Sequence, residues 1–199
     1  MKASGRRRGI IPHCRYEQGA LVTERLRLVP LERLPATADL SRGASLASSL
    51  NATVPSDWPP QSLHGHWRRY RQLREEGHKG AGYLIWCLIL RGERGRSSEL
   101  VGFCGFRDLP DSAGTVELRY EVLPAFQRRG LATEGAEALV AWVFESHWAR
   151  TIRAQTAHEE IGAMQVLAKL GFTLIGMAEG GQGYLFELDD GGQTPPDND

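Results

Sequence analysis

The segment Gln127-Arg128-Arg129-Gly130-Leu131-Ala132-Thr133 joins a strand-like run, Val116 to Leu123, directly to a stretch of helical spacing. The first turn of any helix carries N–H groups without intrahelical partners, and its dipole favours negative charge. Such a junction suits a phosphate. Gly130 would let the backbone approach the ligand closely, Ala132 would avoid crowding it, and Arg128 or Arg129 could supply charge at the rim. The Gly-Lys-Ser/Thr ending of a P-loop is absent, and so is the G-x-G-x-x-G dinucleotide fingerprint. An ordinary basic loop before a surface helix would use the same residue types, and the hexapeptide alone does not choose between the two.

The elements that must position this loop follow from periodicity. Leu26 and Leu28 alternate with Arg25 and Arg27 as in a half-buried strand beginning near Leu21. Residues 31–43 and 60–77 read as helices separated by a loop containing Trp58-Pro59-Pro60. Strand-like runs at 83–90, 100–109 and 115–123 are separated by a charged, Gly-containing segment and by Pro110-Asp111-Ser112-Ala113-Gly114, which predicts an antiparallel meander. Leu131, Ala136, Leu139, Val140 and Val143 fall on one helical face, so 130–146 is expected to be helical. Ile152, Ala154 and Thr156 alternate in a strand, residues 159–170 form a helix ended by Gly171, and 172–178 and 184–188 complete a strand pair. The order predicts a mixed α/β sheet in one domain.

In this context Gln127 to Ala132 resembles the Q/R-x-x-G-x-G/A motif of the GNAT N-acetyltransferases. It is preceded by Glu117-Leu118-Arg119-Tyr120-Glu121-Val122-Leu123-Pro124 and followed by Lys169-Leu170-Gly171-Phe172. Thr23-Glu24-Arg25-Leu26-Arg27-Leu28, Asp57-Trp58-Pro59-Pro60 and Leu100-Val101-Gly102-Phe103 are similar to the branch that holds the ribosomal-protein N-terminal acetyltransferases, RimJ/RimL-like. The likeness covers residues 21–188 and leaves 1–20 as a basic tail and 189–199 as an acidic tail. It implies a single-domain GNAT fold, in which a mostly antiparallel sheet flanked by helices splays at the cofactor cleft. It also implies an acetyl-CoA-dependent transferase acting on a primary amine of a small molecule or a peptide N-terminus. The backbone of Tyr120, Glu121 and Val122 would then bind the pantetheine arm, and the N–H groups of Arg128, Arg129, Gly130, Leu131, Ala132 and Thr133 the pyrophosphate. An N–H near Val122 would stabilise the oxyanion.

The chain departs from the family where proton transfer is concerned. Gln155 stands where some branches carry a glutamate base, Leu167 at the place of the tyrosine acid, and Glu160 at that of the pantetheine-contacting asparagine. Glu117 is the candidate base, with pairing to Arg119 as its alternative role, and Tyr184 the candidate acid. Glu134 suits the positive end of the long helix. His64 and His66 resemble a metal pair without a third ligand, so they read as hydrogen-bonded or solvent-facing residues with no metal. The acid–base departures keep a non-catalytic acyl-CoA-binding or sensing module as the alternative.

Charge is informative by location. The 24 basic and 24 acidic residues cancel, which disfavours a nucleic-acid binder. Residues 1–16 carry five basic side chains and no acid, residues 187–199 five acids and no base, so the body between them is neutral. A ribosome- or RNA-associated factor using the basic tail is the second rival. No apolar run approaches the roughly 20 residues that span a bilayer, and no signal-peptide pattern follows Arg6-Arg7-Arg8, so a cytoplasmic protein is expected. Three cysteines without metal-type spacing read as reduced thiols. Whether the chain forms a homodimer is left open.

Overall fold

The computed structural model describes residues 14–34, 40, 43–92 and 95–191. Most of the basic and acidic tails therefore lies outside the described residues. Residues 15–20, expected in the basic tail, instead enter the sheet. Strands β1 (Arg15–Glu17) and β2 (Ala20–Val22) form an antiparallel hairpin. Its turn residues, Gln18 and Gly19, both have positive φ, the geometry that matches a two-residue turn to strand twist. A side chain at Gly19 would also collide with Arg33.

Strand β3 (Leu26–Pro30) follows, and the expected helix after it begins only as a single tight turn at Leu31–Arg33. Helix α1 (Gly43–Leu50) falls where a loop was expected; Leu46 and Leu50, four residues apart, bury one face of it. Helix α2 spans Leu63–Glu75. The meander is formed by β4 (Ile85–Leu90), β5 (Glu99–Phe106) and β6 (Thr115–Val122), each antiparallel to the next. Then come α3 (Leu131–Glu145), β7 (Thr151–Ala157), α4 (Ile161–Lys169), β8 (Thr173–Met177) and β9 (Gly183–Asp189).

The nine strands lie in the order β1-β2-β3-β4-β5-β6-β7-β9-β8. Eight neighbours make seven antiparallel pairings and one parallel pairing, β6 with β7. β4 and β5 are buried on both faces, as central strands covered by helices must be. Helix α3 packs its Gly135 against Leu26 and Leu88, where a Cβ would come within 2.9 Å of a Leu88 methyl. Trp142 and Trp148 complete that face by packing against Trp86 and Phe106, with ring centroids 5.0 and 4.8 Å away. Trp58 is buried too, its indole N–H donating to the Leu40 carbonyl at 2.9 Å, so it belongs to a packed corner.

Candidate functional site

The parallel seam is short. β6 and β7 pair only at Thr115↔Thr151, Val116↔Ile152 and Glu117↔Arg153, after which the strands part. β7 continues in register with β9 out to Ala157↔Gly183, and β6 stays on β5 out to Val122↔Gly102. The gap between them opens into a cleft of about 570 Å³, walled by Leu118 to Glu121 of β6, by Ala154 and Gln155 of β7, and by residues of α2 and α4. The buried Leu167 and the half-buried Ala163 of α4 form part of its wall.

The register decides which backbone groups face the gap. Arg107 N–H donates to Glu117 O, and Leu123 N–H to Val101 O, both at 2.9 Å, so the odd-numbered residues of β6 turn their backbone toward β5. Tyr120 and Val122 therefore turn theirs toward the gap, as an added strand would require. The backbone of Glu121 faces β5 instead, which corrects the expected three-residue contact. Its carboxylate accepts a hydrogen bond from Ser62, and this ties β6 to the start of α2. Gln127 Nε2 donates to Val122 O at 2.9 Å, leaving the Val122 N–H on that edge.

Beyond Val122 the chain passes through a tight turn into α3. Gly130 precedes the helix with φ 77°, and Arg128 has φ 60°. Glu134 N–H closes the first turn on Gly130 O at 3.1 Å, which leaves the N–H groups of Leu131, Ala132 and Thr133 without intrahelical partners. Arg128 and Arg129 are exposed beside them, the latter over the Phe126 ring with its carbon 5.8 Å from the ring centre. The loop is clamped from β3. Arg25 donates through Nη1 to Arg129 O at 2.7 Å and through Nε to Glu134 at 2.6 Å. Glu134 also accepts from Thr23 Oγ1 at 2.6 Å and Arg25 N–H at 2.8 Å. Burial works against ionisation of Glu134, but these hydrogen bonds and the Arg25 charge hold its carboxyl below the usual range.

The expected acid–base pair is arranged differently from a donor and acceptor facing one cleft. Glu117 sits between Arg119 and Arg107, the second at 3.3 Å, and its side chain is only 18 % exposed. Tyr184 stands on β9 opposite Thr156, its ring edge-on to His158 with centroids 4.8 Å apart. Glu160 lines the cleft, and its carboxylate accepts the Ala157 N–H at 2.8 Å across the start of α4. Tyr120 donates its hydroxyl to Ala163 O at 3.1 Å; burial and the nearby Glu160 push the phenol up, so it stays protonated.

Helix α2, expected to roof the acceptor pocket, separates its two histidines. Among the described residues His66 lines the cleft, half-buried, with its ring 5.8 Å from that of Phe103. His64, by contrast, is exposed, with Nδ1 2.9 Å from Gln61 O. The i,i+2 spacing alone sends two helix residues to different faces, which is the signal that could have separated them.

No helix among the described residues is long and apolar enough to cross a membrane. Residues 25–173 match the family model described as an acetyltransferase (GNAT) domain. An uncharacterized N-acetyltransferase of Bacillus subtilis, YjdG, is 25 % identical over 154 residues, covering 77 % of this chain and 89 % of its own length. The ribosomal-protein-S5-alanine acetyltransferase of Vibrio fischeri superposes with TM-score 0.61 at 16 % identity, covering 88 % of this chain and 99 % of its own. A RimL alpha-N-protein acetyltransferase in complex with coenzyme A gives TM-score 0.57 at 18 % identity, over 84 % and 96 % of the two chains. With a family model spanning three quarters of the chain on a sheet that splays at the expected seam, this protein belongs to the GNAT family of acetyltransferases.

Proposed function

We propose that this enzyme moves an acetyl group from acetyl-CoA directly to a primary amine, of a protein N-terminus or of a small molecule. The observation that carries the reading is the continuity of two features. The β6 edge with its outward Tyr120 and Val122 backbone leads straight to the open N-terminus of α3 at Gly130. A pantetheine arm is a chain of amides and fits the first, and a pyrophosphate fits the second. A Cβ at Gly130 would stand 3.4 Å from an Arg25 nitrogen in a strained backbone, so the cradle suits glycine.

When bound, acetyl-CoA supplies an activated acyl group as a thioester. The chain's own residues then have separate tasks. Leu131, Ala132 and Thr133 offer N–H groups to the diphosphate, with Arg128 and Arg129 at its rim, and Glu160 borders the pantetheine channel. Glu117 holds Arg107 and Arg119 in place, its carboxylate engaged by both guanidiniums and outside the cleft lining. Tyr184 packs edge-on against His158, and neither lines the cleft. Bringing amine and thioester together in one cleft supplies much of the acceleration through proximity.

Two fold relatives are named for acetylating ribosomal proteins, which makes a polypeptide α-amine the first acceptor class to try. Three unpaired cysteines fit a reducing cytoplasm. The test is a thermal-shift measurement with acetyl-CoA, then a turnover screen across peptide N-termini, amino acids, polyamines and aromatic amines. Stabilisation by acetyl-CoA with turnover on at least one amine class is expected. Stabilisation without any turnover would overturn the catalytic reading, and no stabilisation would overturn the donor.

A further inference from the structure

We propose that His66, reaching from α2 into the cleft, is the general base that takes the proton from the acceptor amine. The inference deepens the acetyltransfer reading above and rests on it. It begins with the fate of the carboxylates and the phenol that line the cleft, and of Glu117 beside it. Asp108 is bound in both oxygens by Arg69, at 2.8 and 2.9 Å, and accepts the Leu109 N–H as well. Glu121 is engaged by Ser62, Glu160 by the Ala157 N–H, and Glu117 lies between Arg107 and Arg119. Tyr120 is a protonated donor. Gln155 and Leu167 carry no titratable group at all.

His66 remains, and its surroundings give it the right protonation state. Burial and the Arg119 charge lower its pKa, with a smaller push from Arg107; the Phe106 backbone and Glu117 act in the opposite direction without cancelling them. Arg69 on its own helix is neutralised by Asp108, and Glu121 and Glu160 are the remaining carboxylates of the wall. A lowered pKa leaves a neutral imidazole near pH 7, which can accept a proton. Phe103 packs against one side of the ring and limits its orientation.

In the step itself the amine lone pair attacks the thioester carbonyl carbon. The C–N bond forms, the C–S bond breaks, and the sulfur leaves with the bonding electrons. The proton shed by nitrogen passes to His66, which returns it to the leaving thiolate, so the products are an amide and a thiol.

The test uses the full chain. His66→Gln should bind acetyl-CoA as the parent does by thermal shift while losing roughly a hundredfold or more in turnover, the range of a general base. NMR titration of the parent should find the His66 imidazole titrating below pH 6.5, and the acidic limb of kcat/KM should follow that value. Glu117→Gln should move both to lower pH and Arg119→Gln both to higher pH. The amine's own ionisation gives a separate limb at higher pH common to all variants. Full turnover by His66→Gln, or a limb that ignores both neighbouring substitutions, overturns the assignment of His66 while leaving the acetyltransfer reading intact. Acetyl-CoA binding by the parent with no turnover on any amine overturns both.

Discussion

Glu134 ties the loop proposed to hold the donor to the Thr23–Arg25 segment. Its carboxylate takes three hydrogen bonds from the Thr23–Arg25 segment, and that segment in turn holds the Arg129 carbonyl. Glu134→Gln should lower unfolding free energy by about 1–3 kcal/mol at pH 7, since the partners lose a charged acceptor. The sign of the pH dependence follows from the lowered folded pKa. The stabilisation is present above the unfolded carboxyl value and is lost as pH falls through the folded one. Urea unfolding of parent and variant should therefore converge below about pH 4. Equal stability of the two at pH 7 would show that the clamp contributes nothing. Glu117 looks similar in sequence but has different partners, Arg107 and Arg119, which line the cleft beside β6.

At the scale of elements, strand β6 has two unlike edges. Its odd-numbered backbone groups are bonded to β5, whereas Tyr120 and Val122 look into the gap left by β7. Hydrogen exchange should show this directly. The Tyr120 and Val122 amides should exchange much faster than those of Arg119 and Glu121 in the free protein, and slow down on addition of acetyl-CoA. Equal protection of both sets without ligand would contradict the register. The turn into α3 makes a second prediction. Gly130→Ala forces a side chain into the left-handed region, at about 1–2 kcal/mol, and brings a methyl toward Arg25. KM for acetyl-CoA should rise about tenfold or more while KM for the amine changes little, because the substitution acts only on the phosphate end.

The whole molecule is a single sheet whose two parts, β1 to β6 and β7 with β9 and β8, meet at three residue pairs. A ligand filling the gap bridges them. Acetyl-CoA at a hundredfold above its dissociation constant should add about 2.7 kcal/mol of stability, read as a cooperative rise in the unfolding midpoint of the whole chain; a rise confined to one part of the sheet would show that the ligand does not span the seam. Much of this architecture was legible in the residues. Alternation and helical spacing placed β3 to β9, α2, α3 and α4, because half-buried strands and amphipathic helices write their period into the chain. The glycine turn into α3 was legible as well, since a helix N-terminus with a preceding glycine is a local feature. The hairpin at Arg15–Val22 and helix α1 were missed, being too short to carry a clear period. What the sequence by itself determined is the family, the order of the longer elements and the glycine turn that opens α3. Only the tertiary structure decided which side chains share the acceptor cleft. His66 meets Phe103, Arg107 and Arg119 across dozens of residues of chain. Such contacts depend on packing between distant elements, and local spacing carries no record of them.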